Sequence, residues 1–463
     1  MLAALILAGA ALALPHQAAF APSLPSSPMS APPPVTAPPQ SDYGRLFNIT
    51  LDAPAAPVPR VYYPLSQSDP PEGLELHPLA VSGEAGERVN LAIFADGYTA
   101  SDRETFLTDA RALAADIVSG DSAMAHVADL LNVWGIFAPS ASPGIGIDEP
   151  LPGAPFGLYR PGRELRAVYV GHPGRAHAAC AKFKECDQPV LLGNDGLYGG
   201  LGGTFTIITA SQRNGPLVLR HELGHSLIPV GEEYEGGFVY SGVNADAVEN
   251  VHKLKWKRFL SDPEHVRVED AKVPLQAYPW HDLDEGKYVV RFEGSNRKRD
   301  KRRYTSARLR LSLSSIPYAS HVRLTLNGVV VDLSPQFAED WDGVLDRRWV
   351  HLPLPDGLPA GKVRVEVALT NEGRRAKAGQ GGKMLSSIEI AEYAEDFQAE
   401  PGFVGAFPTY DENGDVSLRP TNEDCLMRNV NQPHFCVVCA HGLRASLKRR
   451  IARKKGTEAA VGV

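Results

Sequence analysis

The chain has 463 residues, of which 43% are hydrophobic and 22% are charged, and its formal net charge is −7. This length exceeds what one ordinary hydrophobic core accommodates, so two or three domains are expected. The composition is that of a globular protein, and the acidic balance gives no global basis for binding nucleic acid.

The N-terminus begins with an uninterrupted apolar run over residues 2–14, which is too short to span a bilayer comfortably. Such a run is typical of a secretory signal peptide, and small residues up to Ala21 offer cleavage sites. We therefore predict a signal peptide over residues 1–21 and a secreted, extracellular protein without a transmembrane segment.

Residues 22–78 follow as a predicted linker or pro-segment, because their first half is rich in Pro, Ser and Ala and almost uncharged. Asn48 opens an Asn-Ile-Thr sequon within this segment. In a secreted chain, an exposed sequon of this kind predicts a glycoprotein.

An α/β pattern starts near residue 79, with a buried strand at residues 88–94 followed by a helix at residues 101–118. Ser101 and Glu104 have the spacing of a capping box at the start of that helix. A glycine-rich segment leads into a strand at residues 204–208 rather than into a helix, which excludes a phosphate loop. This strand precedes the next motif and is suited to pairing with an extended peptide.

Residues 216–234 contain an H-E-x-x-H motif. On a helix, His221 and His225 lie four residues apart on one face, so both imidazoles can reach one metal ion. Glu222 is then placed to act as the general base on a water at that metal. Pro216 suits the first helical turn, and Pro229 ends the helix.

A zinc ion at these histidines needs a third protein ligand. Acidic candidates follow the break at Pro229, namely Glu232, Glu233 and Glu235. We favour Glu233, with Glu232 as the alternative; the other member of this pair would orient a ligand histidine. Tyr234 is a candidate donor to the developing oxyanion, although a tyrosine at this position is equally typical of packing.

Residues 285–398 consist of short alternating segments separated by turns, such as the Asn-Gly pair at residues 327–328. This pattern predicts an all-β sandwich or jelly roll. A basic run at residues 297–303 is predicted to be a solvated loop. Residues 448–463 are predicted to form a basic, flexible tail.

The five cysteines fall into two groups. Cys180 and Cys186 are close enough to staple a short loop, whereas Cys425, Cys436 and Cys439 cluster near the C-terminus. In an oxidising compartment, disulfides are favoured over thiolate ligands. A zinc knuckle or redox pair at residues 436–439 is the less favoured alternative because no second C-x-x-C is present. The odd count leaves one cysteine free or paired outside its group.

The order of several short segments resembles the IgA-peptidase-like zinc metallopeptidases, a zincin family. The matching segments are residues 94–99, 132–134, 139–140, 198–200, 221–226, 232–234, 424–428 and 435–439. The resemblance implies an extracellular endopeptidase whose zinc is held by His221, His225 and an acidic residue. It also implies a turn at residues 425–427 under the zinc site. Glu232 stands where the family has Asp, which leaves the third ligand open.

These observations predict an α/β (α+β) zincin-like catalytic domain whose first part is residues 79–284 and whose C-terminal part, with the cysteine group, is residues 399–447. The β-sandwich of residues 285–398 is predicted to be inserted between the two parts.

The predicted function is a secreted, Zn²⁺-dependent endopeptidase with Glu222 as general base. Its substrate would be a protein or peptide, glycoproteins included, and its oligomeric state is left open. One alternative is an extracellular carbohydrate- or protein-binding β-sandwich on an inactive zincin scaffold. A third reading is a zinc hydrolase acting on non-peptide amides.

Overall fold

The computed structural model describes residues 68–237, 241–296, 303–337, 341–411 and 413–456. The predicted signal peptide, Asn48, most of the Pro-rich segment and nearly all of the basic run at residues 297–303 lie outside these ranges. No helix within them is long and apolar enough to cross a membrane.

The helices of the described ranges are distributed over the whole chain. The α-helices are α1 (Arg103–Val118), α2 (Pro173–Ala181), α3 (Gly215–Leu227), α4 (Asn371–Arg375) and α5 (Val437–Lys454). Short 3-10 turns lie at Ala85–Glu87, Ala100–Asp102, Ala125–Leu130, Val248–Lys253, Lys257–Phe259, Ala319–His321 and Ser334–Gln336.

The strands fall into three groups along the chain. The first group is β1 (Glu75–Val81), β2 (Val89–Asp96), β3 (Leu131–Phe137), β4 (Gly146–Ile147), β5 (Leu158–Arg160), β6 (Tyr169–Val170), β7 (Gln188–Gly193), β8 (Gly200–Leu201), β9 (Thr206–Thr209) and β10 (Asp246–Ala247). The second group is β11 (Ala271–Ala277), β12 (His281–Asp282), β13 (Tyr288–Glu293), β14 (Tyr304–Leu313), β15 (Val322–Leu326), β16 (Val329–Val331), β17 (Arg348–Leu354), β18 (Lys362–Leu369) and β19 (Met384–Ala394). The last group is β20 (Phe407–Tyr410) and β21 (Val416–Arg419).

A six-stranded sheet in the order β1-β3-β2-β7-β9-β8 is the centre of the first part of the chain. Strands β3, β2, β7 and β9 are parallel, and the two outer strands run antiparallel to their neighbours. Strand β2 is buried along its whole length. Its alternate residues enter two cores: Leu91 and Ile93 pack with α1 and α3, while Ala92 and Phe94 pack with α2. The mixed α/β architecture predicted for this region is therefore observed.

Two antiparallel sheets form the second β-rich region, in the orders β11-β19-β14-β17 and β13-β18-β15-β16. They share one hydrophobic core, to which β14 contributes Leu309 and Leu311 and β18 contributes Val365 and Val367. Because β11 pairs with β19, the sheet begins at Ala271, before the boundary predicted at residue 285. The domain limits beyond this observation stay predictions.

The C-terminal segment returns to the first core. Leu443 and Leu447 of α5 belong to the same cluster of buried side chains as Leu223 of α3. Helix α5 continues to Lys454, so the flexible tail predicted from residue 448 begins too early. Within this basic stretch, Lys454 pairs with Asp187 at 2.6 Å.

Candidate metal centre

Helix α3 carries the two histidines of the H-E-x-x-H motif into the core. The helix begins at Gly215, has Pro216 in its first turn, and ends at Leu227. The helix is buried because Leu219 and Leu223 pack into the main hydrophobic cluster. Proline is tolerated in a first turn, where its missing N–H is not needed. The helix therefore has the limits that its two flanking prolines predict.

Three side chains converge at the centre of this helix: His221, His225 and Glu232, hereafter the metal centre. The Nε2 atoms of the two histidines lie 3.2 Å apart. The Glu232 carboxylate lies 2.9 Å from Nε2 of His225 and 3.3 Å from Nε2 of His221. In a tetrahedral zinc site with bonds of about 2.1 Å, ligand atoms lie about 3.4 Å apart. The donor set and its spacing therefore fit one zinc ion.

The His221 ring is oriented from its other nitrogen. Its Nδ1 lies 3.1 Å from the main-chain carbonyl oxygen of Leu426. A carbonyl oxygen can only accept, so Nδ1 carries a proton and Nε2 is the nitrogen that is available to a metal ion. Carbonyl groups that fix a ligand histidine in this way are a common feature of zinc sites.

Glu232 reaches the histidines because the chain turns back directly after α3. Asn244 holds this turn: its side chain accepts from the Gly231 N–H at 2.8 Å and donates to the Gly231 carbonyl at 3.0 Å. The sequence predicts no role for Asn244, because this residue is not part of a recognisable motif. The turn presents successive side chains to opposite sides, so only one member of the acidic pair faces the histidines.

Glu233, the ligand that we favoured from the sequence, faces away from the metal centre. Its backbone N–H donates to the carbonyl of Met427 at 3.1 Å, and its carboxylate accepts from Asn244 at 2.7 Å. We accordingly replace Glu233 by Glu232 in the proposed ligand set. Glu235, the third acidic candidate, forms an ion pair with Arg428 at 2.9 Å.

The charges of the metal centre depend strongly on one another. Burial alone would raise the pKa of Glu232, but the two histidines outweigh it and hold this pKa well below its ordinary range. Burial likewise disfavours a charged His221, yet the Glu232 carboxylate outweighs it and raises the pKa of His221 to about 9. Without a metal, the carboxylate thus attracts a proton to the position that a cation would take.

The Glu222 side chain extends from α3 and packs closely against Gly202, in the segment that follows β8. Burial raises the pKa of its carboxyl group, which also accepts a hydrogen bond from the backbone N–H of Gly202. A Cβ added at Gly202 would lie 2.8 Å from a Glu222 carboxylate oxygen. Glycine is therefore required here for the backbone to approach this side chain closely.

The two tyrosines near the centre differ in their surroundings. Tyr234 is buried in the main core, close enough to Arg347 to influence the pKa of its guanidinium group. Tyr198 belongs to one of the segments that resemble the family, residues 198–200, but the sequence predicts no role for it. The side chain is fully buried, and the charges of Glu222 and Glu232 act on it. Within the described residues, its hydroxyl has no hydrogen-bond partner.

The turn at residues 425–428 lies against α3. The Leu426 carbonyl contacts His221, and the Arg428 and Asn429 N–H groups both donate to the Cys425 carbonyl at 2.9 Å. A Cβ at Gly224 would lie 2.9 Å from the Met427 sulfur, so this glycine allows the methionine to pack directly on the helix. The position implied for this segment by the family resemblance is the one observed.

The strand suggested for peptide pairing needs a correction. Strand β9 is paired on both sides, with β7 and with β8, so no edge of it is available to a peptide. Strand β8 is the outer strand of the described sheet, but the N–H of Gly200 already donates to the carbonyl of Arg166. Strands β8 and β9 therefore serve to position Glu222 and α3.

The cysteines only partly follow the prediction. Cys180 and Cys186 form the expected disulfide. Among Cys425, Cys436 and Cys439 a disulfide was expected, with one cysteine left over, but all three are free and buried. Their sulfur atoms meet the Glu233 carboxylate in a second group of potential metal ligands. The disulfide expected near the C-terminus is thus absent from the described residues.

Residues 77–302 match the family model described as IgA Peptidase M64. This segment belongs to the IgA-peptidase-like metallopeptidase family. The matched region includes α3, both histidines and Glu232, and it ends before the turn at residues 425–428. Membership of this family supports a peptidase with a protein or peptide as substrate. No curated protein matches the chain.

Proposed function

We propose that this protein is a secreted, zinc-dependent endopeptidase whose zinc ion is held by His221, His225 and Glu232. The observation that carries the proposal is the convergence of these three buried side chains within 3.3 Å of one another. Glu222 lies on the helix that carries both histidines. Two imidazoles and one carboxylate form a donor set that suits zinc and leaves a fourth position for the reaction.

Zinc at this centre would make a water molecule more acidic and polarise the substrate carbonyl. Glu222 takes the proton from the attacking water and passes it to the leaving amine. Its raised pKa suits this exchange, because a base that is too acidic holds a proton weakly. The Gly202 N–H keeps the carboxylate in place between the two proton transfers.

Replacement of Glu222 by Gln tests the assignment, because the amide keeps the shape of the side chain but cannot accept the proton. We expect unchanged zinc content and a loss of about 10²–10⁴-fold in peptide hydrolysis. Glu264→Gln, at an exposed acidic residue outside the centre, is the matched control and should retain full activity. Hydrolysis by Glu222→Gln at the wild-type rate would refute the role of Glu222.

The substrate and the compartment need separate measurements. Cleavage sites in a proteome digest, compared between the wild type and Glu222→Gln, define the peptide bonds that the enzyme selects. Secretion is proposed from the apolar run at residues 2–14. It predicts that protein recovered from the medium begins after residue 21. Recovery of the uncleaved chain only from inside cells would contradict it.

A further inference from the structure

A second group of potential metal ligands lies directly behind the metal centre. It consists of Glu233, Cys425, Cys436 and Cys439, hereafter the thiol cluster. All four side chains are buried, and their ligand atoms lie within 4.8 Å of one another. The proposed peptidase reaction uses none of them, so the cluster requires its own explanation.

The spacing of the sulfur atoms fits a shared metal rather than a disulfide. Sγ of Cys425 lies 3.7 Å from Sγ of Cys439, and Sγ of Cys439 lies 3.7 Å from Oε1 of Glu233. A disulfide requires about 2.05 Å between sulfur atoms. Around a tetrahedral zinc ion with Zn–S bonds of about 2.3 Å, sulfur atoms lie about 3.8 Å apart.

The carboxylate of Glu233 supplies an independent indication of a ligand. Its Oε1 accepts a hydrogen bond from Asn244, whereas its Oε2 is buried without a partner among the described residues. Leaving a carboxylate oxygen buried and unbonded is costly unless it is paired or coordinates a metal. A cation bound between this carboxylate and the three sulfur atoms removes that cost.

The surroundings are suited to thiolates. Cys436 is the N-cap residue of α5, and Cys439 lies in the first turn of this helix. The N-terminus of a helix favours negative charge, including that of a thiolate. The N–H of Cys436 lies 3.4 Å from Sγ of Cys425, and Arg428 donates to the Glu233 carbonyl at 2.8 Å. A divalent cation neutralises only part of the negative charge of three thiolates and one carboxylate. These groups offset part of the remaining negative charge.

We propose that Cys425, Cys436, Cys439 and Glu233 bind a second, structural zinc ion. Four protein ligands close the coordination sphere, which is the property of a structural rather than a catalytic site. The ion joins three segments: the start of α5, the turn at residues 425–428, and the acidic pair after α3.

The consequence is that the second zinc ion positions the catalytic centre without contacting substrate. Glu233 is bonded in sequence to Glu232, and Leu426, which orients His221, is bonded to Cys425. Loss of the structural ion would therefore loosen two of the three catalytic ligands at once.

The full-length protein provides the test. We expect two zinc ions per chain, one for each group of ligands. After cobalt substitution, the thiol cluster should give an intense near-ultraviolet sulfur-to-cobalt charge-transfer band, which a centre of two histidines and one carboxylate cannot produce. His225→Ala should lose the catalytic ion but keep this band, so that the test does not depend on peptidase activity.

Variants and alkylation complete the design. Cys436→Ser should lose one of the two metal ions and the charge-transfer band, whereas the Cys180→Ala/Cys186→Ala pair, the matched control, should keep both. Iodoacetamide applied in denaturant with a chelator but without a reductant should label three cysteines in the wild type. A single labelled cysteine would reveal a disulfide in the cluster and overturn the proposal. So would the absence of the band from the cobalt-loaded wild type, even if Cys436→Ser does not fold.

Discussion

Tyr198 is a buried hydrogen-bond donor on which the charges of two acidic groups of the proposed reaction centre act. Burial raises the pKa of its phenol well above the ordinary value, so the group stays neutral and can donate. Its hydroxyl has no partner within the described chain, while the charges of Glu222 and Glu232 act on it. A buried donor of this kind is costly to the free enzyme and becomes useful when a substrate oxygen accepts from it.

Tyr198→Phe tests this role by removing only the hydroxyl group. We expect kcat to fall by about 10²-fold, because a donor that stabilises the transition state has been lost. Zinc content and KM should change little. Tyr234→Phe is the matched variant, since both tyrosines are buried near the centre. If Tyr234→Phe alone lowers kcat, the oxyanion donor is Tyr234, which is one of the two roles that the sequence left open for it.

His221 gives the metal-free protein a defined dependence on pH. Its pKa is about 9 in the folded chain, above the ordinary value of 6.5. The protonated ring paired with Glu232 therefore contributes stability that is complete below pH 6.5 and is lost as the pH rises through 9. We expect the thermal midpoint of the chelator-treated protein to fall across this interval.

Two comparisons make the measurement specific for this pair. Glu232→Gln removes the carboxylate that raises the pKa, so the fall across the same interval should become smaller. Zinc binding should release a proton at neutral pH, because the metal takes the place of the proton on His221. An identical pH profile for wild type and Glu232→Gln would contradict the pairing.

The ligand set illustrates what a sequence can and cannot specify about single residues. The spacing of His221 and His225 predicts a shared helix face because the helical period is fixed. No such period governs the turn after Pro229. The choice between Glu232 and Glu233 is made by contacts from Asn244 and Met427, which no local pattern predicts. Tyr198 was missed for the same reason, since only folding exposes it to the charges of Glu222 and Glu232.

At the scale of secondary-structure elements, β8 and α3 approach each other closely at a glycine. A Cβ added at Gly200 would lie 2.2 Å from a methyl group of Val218. We expect Gly200→Ala to lower the free energy of unfolding by about 1–3 kcal/mol through overpacking. Because β8 and its continuation at Gly202 position Glu222, kcat should fall as well.

A double-mutant cycle tests this contact. Val218→Ala removes the methyl groups that a new Cβ at residue 200 would strike, so Gly200→Ala/Val218→Ala should be more stable than the sum of the single effects predicts. Gly120→Ala, at a glycine whose added Cβ would meet nothing within 4 Å, is the control. Strict additivity in denaturant unfolding would show that the contact is not the cause.

Element prediction succeeds where a periodic pattern is strong. The alternating pattern at residues 285–398 coincides with the strands from β13 to β19. Strand β7 was missed because its apolar run covers only Val190–Leu192, between Pro189 and Gly193. The helix start was placed at Ser101, whereas Thr99 and Asp102 form the capping box, a pair with the same spacing in the sequence.

At the scale of the whole molecule, the second β-rich region contacts the segments around the metal centre through the buried residues Asp346 and Arg347. Asp346, which precedes β17, accepts hydrogen bonds from the Tyr198 N–H at 2.6 Å, from Ser211 at 2.6 Å and from Asn214 at 2.7 Å. Ser211 and Asn214 lie just before α3. The carboxylate thereby fixes the start of the metal-binding helix and the backbone of Tyr198.

The neighbouring Arg347 strengthens this connection. Its guanidinium group packs over the rings of Tyr198 and Trp349 and donates to the carbonyl of Leu165 at 2.9 Å. The second β-rich region is therefore a structural support of the reaction centre. A binding function for this region would have to use other surfaces.

Asp346→Ala tests the connection between the two regions. Loss of the carboxylate leaves several buried donors without a partner, so we expect a loss of about 3 kcal/mol in the free energy of unfolding. Because Tyr198 and α3 lose a shared anchor, kcat should fall further than the stability loss explains at temperatures where the variant is fully folded. Asp356→Ala, at an exposed turn of the same region, should change neither quantity.

If Asp346→Ala retains wild-type kcat once folded, the second β-rich region supports the fold without positioning the catalytic residues. If kcat falls as expected while the zinc content is unchanged, the effect acts through Tyr198 rather than through the metal ligands. In that case the double variant Tyr198→Phe/Asp346→Ala should lose less kcat than the sum of the two single effects predicts.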